Sequence, residues 1–366
     1  MNKSRSTSKS MGKKTSAGMP EGGEIRKLRF AFFGAGFFAR FQMAAWRELD
    51  GAECVALFNR TRVKGEAFAE EFGIPKVYDD PEELFRRETL DFVDLCTNPF
   101  TLPRFVKMAA AHRVPVISQK PMAPSVAIGE ELVKTCAKAG IPYFIHENWR
   151  WQTQLRQFKS VLDSGDIGTP FRARITHVSG YPVFINEPTL KDLENFILTD
   201  MGTHILDIAR FYFGEPERLY CQIHQVHPNI KGEDVATVML LANGGKTTVT
   251  CELAYPENYY EHDVRPQSLV FVEGDKGTAE VAADYWIRVT TRDGTHSRRY
   301  PPISYRWADA DHRVVEASIV TCHAGFLQAF RGEGAPETTG EDNLKTLKLV
   351  YACYDSARSG EAVRLQ

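Results

Sequence analysis

Between residues 26 and 148, short apolar runs alternate with segments of helical character. Leu28–Phe33, Cys54–Phe58, Gly73–Tyr78, Leu90–Cys96, Val114–Ser118 and Ile141–His146 read as six strands. Near-continuous apolar strands of this length are suited to burial on both faces. Helices are predicted from Phe38 through Trp46, up to about Phe72, from Pro81 onward, and around 101–112 and 125–139. Asp80 is placed to cap the third of these, with Pro81 in its first turn. Regular alternation of strand and helix predicts a parallel, doubly wound sheet.

The pattern changes after residue 148. A helix at about 152–164 leads into Gly165-Asp166-Ile167-Gly168, and Phe171–Ile175 begins longer strands with alternating polarity. A helix follows at about 200–213. Strands at about 217–228, 234–242, 246–254, 268–273, 278–282 and 286–291 then succeed one another without helices between them, and Gly244-Gly245 fits a tight hairpin. This order predicts an open, mostly antiparallel sheet covered on one side by helices, with a last helix at about 342–358. The expected division is a tail at 1–24, a dinucleotide-binding domain at 25–148 and an α+β domain at 149–366 that holds substrate and mediates self-association. The tail is rich in Lys, Ser, Thr and Gly, has no apolar periodicity, and reads as a disordered arm without a secretory apolar core.

Composition narrows the function classes. The 366 residues are 43% hydrophobic and 25% charged, with a formal net charge of −2. No basic field favours nucleic acid or an anionic membrane, and no apolar stretch approaches the ~20 residues of a membrane span. The seven cysteines are scattered without a Cys-x-x-Cys pair. That usage points to a reducing, cytoplasmic setting.

The chemistry starts at Phe33-Gly34-Ala35-Gly36-Phe37-Phe38-Ala39. Gly34 permits a sharp turn, Gly36 leaves the backbone open to a pyrophosphate, and Ala39 allows close packing of helix on strand. Free N–H groups at the new helix N-terminus would face phosphate. With the flanking strand and helix, the turn predicts a Rossmann domain; a purely structural turn or another adenine ligand are the competing readings. At the end of the second strand, where an acid would hold the ribose hydroxyls, stand Asn59 and Arg60, with Lys64 a turn later. The cofactor is therefore read as NAD(P), tilted toward NADP, unless those cations are simply solvated.

Further candidates lie at the carboxyl ends of later strands. Gln119-Lys120-Pro121 aims Lys120 at the crevice. Asp200 and His204, four apart on one helical face, provide a carboxylate and a proton acceptor; the alternatives are an N-cap and a structural histidine, and two residues are too few for a metal site. Trp149 and Arg150, within His146–Trp151 at the domain junction, can stack on nicotinamide or sugar, or simply pack the domains together. Pro182, Pro188, Pro256, Tyr181, Phe184, Tyr259 and Tyr260 are plausible pocket walls.

Taken together, the glycine turn, Gln119-Lys120-Pro121 and Asp200-Met201-Gly202-Thr203-His204-Ile205-Leu206-Asp207 resemble the Gfo/Idh/MocA family, the glucose–fructose oxidoreductase and inositol dehydrogenase group. Gly165–Gly168, Gly274-Asp275-Lys276-Gly277-Thr278 and Tyr354–Gly360 add to the likeness, which covers nearly all of 26–366. The resemblance implies an NAD(P)-dependent oxidoreductase of a secondary alcohol on a sugar, polyol or inositol. It implies catalytic roles for Lys120, Asp200 and His204: His204 takes the hydroxyl proton, Lys120 stabilises the alkoxide, and Asp200 orients substrate and His204. The cofactor set is Gly34, Ala35, Gly36, Phe37, Phe38, Asn59, Arg60, Thr97, Asn98, Gln119, Lys120, Trp149 and Arg150. A homodimer or homotetramer is implied as well. The sequence departs from the family at Gln119, where Glu is usual, and at Thr97–Leu102, which lacks a histidine. A regulator that binds cofactor without turnover, and an NAD-dependent glycosidase, are the other functions compatible with the fold.

Overall fold

The computed structural model describes residues 26–180, 182–256 and 268–365. The tail, Tyr181, Tyr259 and Tyr260 lie outside the described residues.

The first lobe is built from β1 (Leu28–Phe33), α1 (Phe37–Trp46), β2 (Ala52–Phe58), α2 (Arg62–Phe72), β3 (Val77–Tyr78), α3 (Pro81–Arg87), β4 (Phe92–Leu95), α4 (Leu102–Ala111), β5 (Val116–Gln119), α5 (Val126–Ala139) and β6 (Tyr143–His146). The six strands are all parallel, in the order β3-β2-β1-β4-β5-β6. The order reverses direction beside β1, so a crevice opens above the carboxyl ends of β1 and β4. Asp80 caps α3 as its sequence suggests, accepting a hydrogen bond from the Glu82 N–H. Phe30, Phe32, Phe33 and Phe92 are fully buried in the two layers flanking this sheet, which is why its strands read as continuous apolar runs.

The second lobe contains α6 (Thr153–Ser164), β7 (Pro170–Val178), α7 (Val183–Asn186), α8 (Thr203–Phe213), β8 (Arg218–His224), β9 (Val235–Ala242), β10 (Thr247–Ala254), β11 (Leu269–Gly274), β12 (Gly277–Ala282), β13 (Trp286–Thr291) and β14 (Gly294–Arg299). The chain ends with α9 (Arg313–Arg331), α10 (Gly340–Ser359) and β15 (Val363–Arg364). The nine-stranded sheet runs β14-β13-β12-β11-β7-β10-β9-β8-β15. Neighbours pair antiparallel except β7 with β10, which are parallel. Alternate residues of β9 and β10 are buried in the core they share with α8 and α10, while Met239 and Phe171 stay exposed.

The Gly165–Gly168 and Gly274–Thr278 turns prove to be one structural joint. A Cβ on Gly274 would lie 2.1 Å from the Ile167 carbonyl oxygen, and Asp275 Oδ1 accepts from the Thr169 N–H at 2.9 Å. Four elements go beyond the sequence reading: the short helix α7, the strands β14 and β15, and, last, the 19-residue helix α9. The latter packs on α1 of the first lobe, with Cys322, Phe326 and Leu327 joining the core formed by Phe30, Trp46 and Phe92.

Candidate active site

The glycine turn fits a dinucleotide. Gly34 has φ +112°, and a Cβ there would fall 2.3 Å from the Cys96 carbonyl oxygen; only glycine lets the chain pass so close to the end of β4. Gly36 is the N-cap of α1, with no side-chain cap, no acid in the first turn and, among the described residues, nothing within 4 Å of where its Cβ would be. The first N–H groups of α1 thus face open space above the sheet's carboxyl edge, an anion cradle of the usual kind. Ala35 flanks the turn, and Phe37 is 45% exposed beside it. Phe38 turns away and packs on Ala45, Ile319 and Val320, so only its backbone is offered to the cradle.

At the end of β2, the Asn59 amide donates to the Thr61 carbonyl at 2.7 Å. Arg60 is exposed and makes no ion pair among the described residues, whereas Arg62 is held by Glu66 and Asp79. The side chains of Thr97 and Asn98 shape the entry to α4: Asn98 Oδ1 accepts from the N–H groups of Phe100 and Thr101, and Thr101 Oγ1 donates to Thr97 Oγ1.

Gln119 departs from the expectation of a cofactor contact. Its amide points inward, donating to Gln42 Oε1 at 2.7 Å and approaching His146 Nδ1 at 3.2 Å, while its Oε1 accepts from the Lys120 N–H. Gln42 in turn donates to Asp94 Oδ1 at 2.6 Å, and Trp46 Nε1 donates to Asp94 Oδ2 at 2.7 Å. Burial pushes the Asp94 carboxyl up to about 7, against these two hydrogen bonds. The amide is therefore engaged by a sealed polar network beneath the crevice and has no donor left to face it.

Arg150 also departs from its expected place. Its guanidinium is buried, donates from Nε to Asp207 Oδ2 at 2.7 Å and from an Nη to Asp342 at 3.1 Å, and lies 5.4 Å from the Phe211 ring centre. An ion cluster of Arg150, Arg210, Asp207 and Asp342 ties the lobe junction to α8 and α10. A buried Asp207 needs that cation more than a ligand does. Trp149 remains by the site: its ring stacks on the His204 imidazole, centres 4.7 Å apart and 11° from parallel, and its edge meets His177.

The structure brings Lys120, Asp200 and His204 together from the two lobes. Lys120 Nζ, at the end of β5, donates to Asp200 Oδ1 at 2.8 Å and to the Asp200 carbonyl at 3.0 Å. Their side chains are 18% and 19% exposed, so the pair lies at the floor of a crevice. Tyr255 OH donates to Asp200 Oδ2 at 2.8 Å. Burial pulls the Lys120 ammonium down, but Asp200, with help from Glu147 and Glu187, outweighs it and holds the group above its ordinary value. Burial pushes Asp200 up, and Lys120 and Tyr255 reverse this to leave it below the usual carboxylate range. Both charges are thus firmly kept.

The helix carrying Asp200 and His204 is not uniform. Leu198–Gly202 forms a π turn that continues into α8, a local widening frequent at functional sites. Asp200 faces Lys120 and Tyr255 and does not orient His204. That contact belongs to Glu147, whose Oε1 meets His204 Nδ1 and whose Oε2 accepts from Thr203 Oγ1 at 3.2 Å. Glu147 is fully buried. Burial raises its carboxyl to about 7, opposed chiefly by Lys120, and burial together with Lys120 drives His204 well below its ordinary value. Glu147 and Tyr255 are the residues sequence reasoning missed. Glu147 follows β6 directly, at a strand carboxyl end, and that position was its available signal.

Known proteins resemble this chain along most of its length. Residues 28–146 match a profile described as an oxidoreductase family with an NAD-binding Rossmann fold, and residues 155–280 match the GFO/IDH/MocA C-terminal domain. A D-apiose dehydrogenase of Paraburkholderia graminis is 40% identical over 343 residues, 93% of this chain and 91% of that protein. A myo-inositol 2-dehydrogenase of Thermotoga maritima is 24% identical over 348 residues, 93% and 99% of the two chains. The crystal structure of an oxidoreductase from Agrobacterium radiobacter in complex with NAD+, L-tartaric acid and magnesium aligns with a TM-score of 0.90 at 37% identity, over 93% of this chain and 98% of that one.

Proposed function

We propose, from the premise that the chain belongs to the Gfo/Idh/MocA family of oxidoreductases, that Lys120, Asp200 and His204 move the proton while a hydride leaves or reaches a carbinol carbon of a D-apiose-like sugar. The broader activity follows from the family and its named relatives: the protein is a nicotinamide-dinucleotide-dependent dehydrogenase or reductase of sugars or polyols. The observation that carries the finer reading is the cross-lobe Lys120–Asp200 pair beside His204, near the carboxyl edge that also carries the glycine cradle. The cradle at Gly34–Phe38 would hold the pyrophosphate, and the nicotinamide supplies a hydride acceptor or donor when bound. His204 takes the hydroxyl proton in oxidation and returns it in reduction. Lys120 donates a hydrogen bond to the substrate oxygen and stabilises it as the proton leaves. Asp200 holds Lys120 in place and keeps it charged.

The test is nicotinamide absorbance over a sugar and polyol panel headed by D-apiose, with myo-inositol and D-xylose alongside. The proposal expects D-apiose to turn over with the highest kcat/KM, and His204→Ala to slow it about 100-fold or more without loss of dinucleotide binding. Dinucleotide binding with no turnover anywhere on the panel supports the regulator instead.

For the cofactor, the missing carboxylate and the unpaired Arg60 at the end of β2 support NADP; the NAD+ in the 37%-identical Agrobacterium structure favours NAD. Arg60→Ala decides: under the NADP reading it weakens NADP and leaves NAD unchanged. The uncovered face of the nine-stranded sheet, carrying Met239, Phe171 and the Arg174–Phe271 contact, supports a homodimer or homotetramer, and a monomer in sedimentation at micromolar concentration would refute it. Among the described residues no helix is long and apolar enough to cross a membrane.

A further inference from the structure

We propose that Glu147 is the positioning residue of the proton transfer: it holds the Nδ1–H of His204, leaving the Nε2 lone pair to face substrate. This rests on the reading of His204 as the base. Glu147 is sealed from solvent and has no Lys or Arg in ion-pair contact among the described residues; its partners are the His204 ring, the Thr203 hydroxyl and the Trp149 backbone N–H, while Lys120 and Arg150 act on it only through space. Burying a carboxylate without a directly paired cation is costly, and its hydrogen bond to the imidazole offsets part of that cost. Trp149 stacks flat on the imidazole and blocks its rotation out of the carboxylate's reach. Nδ1 is therefore fixed as the donor, and Nε2 makes no hydrogen bond among the described residues. Which ring nitrogen carries the proton is set by the partner of the other.

The charge pattern gives Glu147 a second effect. Lys120 and burial both disfavour an imidazolium at His204. When the substrate O–H bond breaks and an Nε2–H bond forms, with hydride passing to the oxidised dinucleotide that the family activity uses, the ring becomes cationic. The Glu147 carboxylate then stabilises it, as a buried carboxylate does for the histidine of a hydrolase triad. The groups that face His204 are Glu147 after β6, Lys120 after β5, Asp200 in the π turn, Asp207 on α8, and the neutral His177 on β7 and His146 on β6. Among the described residues, Glu147 alone contacts the ring with a carboxylate.

The test has two independent arms. In the wild-type protein, proton–nitrogen correlation NMR of the His204 ring, assigned by its loss in His204→Ala, is expected to show a strongly deshielded Nδ1–H; an Nε2–H tautomer overturns the proposal. In turnover, Glu147→Gln is expected to lower kcat roughly tenfold or more. It should also move the acid limb of the kcat/KM profile to lower pH, while sugar KM and dinucleotide Kd stay within about twofold. The His204→Ala/Glu147→Gln double variant should be no slower than His204→Ala alone. A wild-type pH limb in Glu147→Gln, or additive losses in the double variant, overturns the role of Glu147. An unchanged kcat in His204→Ala would instead overturn the base assignment, and the tautomer measurement would still stand. If Glu147→Gln does not fold, the tautomer in the wild type decides.

Discussion

Replacing Gln119 by the glutamate usual in this family should destabilise this protein, and the damage should depend on pH. The Gln119 amide donates to Gln42 Oε1, and the Gln42 amide donates to Asp94, whose other oxygen is held by Trp46. The chain of donors runs in one direction and ends on one carboxylate. A carboxylate at position 119 sets acceptor against acceptor at 2.7 Å. Gln42 can flip its amide to satisfy the introduced carboxylate, but then turns its own oxygen on Asp94. The conflict ends when Asp94 takes a proton, and burial already holds that group near 7. The sign follows. A carboxyl raised in the folded state contributes stability at low pH and loses it as pH rises through the folded value. The difference between Gln119→Glu and wild type should therefore be small at pH 6. Above pH 7 it should grow by up to about 1.4 kcal/mol per pH unit, reaching ~2 kcal/mol near pH 8.5, or roughly 4–8 °C in Tm for lobes of this size. Thermal melts of both proteins across that range measure it. Adding Asp94→Asn should restore the Tm, because an amide at position 94 can donate to the flipped Gln42 and still accept from Trp46. A Gln119→Glu protein as stable as wild type at pH 8.5, or a double variant no better than the single, would refute the network.

Three further outcomes follow from named contacts. Arg150→Ala removes the main cation from fully buried Asp207 and should cost about 3–5 kcal/mol, seen as a lowered Tm or loss of soluble protein; a stable variant with selectively weakened dinucleotide binding would return Arg150 to the cofactor site. Gly34→Ala and Gly36→Ala should separate folding from binding: the first collides with the Cys96 carbonyl and lowers Tm, whereas the second meets no atom within 4 Å, melts like wild type and loses dinucleotide affinity by about tenfold or more in a fluorescence titration. In the oxidation direction kcat/KM should rise through an apparent pKa near 7 to a plateau, because the Glu147–His204 pair must shed its extra proton before Nε2 can accept one; a profile flat from pH 5 to 9 would deny the pair that role.

The parallel lobe was legible because its strands are buried on both faces and alternate with helices, the third of which opens on the Asp80 cap. Helix α9 was not. Its Ile319, Val320, Cys322, Phe326 and Leu327 are buried against α1 and the first sheet, and Val314 is buried as well; the apolar positions wrap much of the helix rather than forming one stripe. The β-branched residues and Gly325 further weaken its intrinsic helical preference. At the site, Lys120, Asp200 and His204 stood out because each belongs to a spaced motif. The direction of the Gln119 amide did not, because it depends on Gln42 of α1, 77 residues earlier, and on the Asp94 carboxylate of β4. Arg150 misled for a similar reason: its place beside two tryptophans suggested stacking on a ligand, while the acids that hold it, Asp207 and Asp342, lie 57 and 192 residues away.

Both polar pairs at the site cross between the lobes. Lys120 follows β5 of the first lobe and meets Asp200 of the second; Glu147 follows β6 and meets His204 on α8. A relative shift of the lobes by even an ångström or two therefore lengthens both pairs together, loosening the substrate's hydrogen-bond donor and its base in one motion. The C-terminal segment opposes such a shift. After the second sheet, α9 returns to pack on α1, the Thr338 carbonyl accepts from the Ile145 N–H at 2.8 Å, and α10 lies against both α5 and β8. That hydrogen bond is made one residue before His146 and two before Glu147, so the strand that delivers the carboxylate is pinned where it leaves the sheet. The acid–base geometry is thus a consequence of how the last fifty residues re-enter the first lobe, and a substitution at Thr338 or along α9 can disturb proton transfer without touching any group that takes part in it.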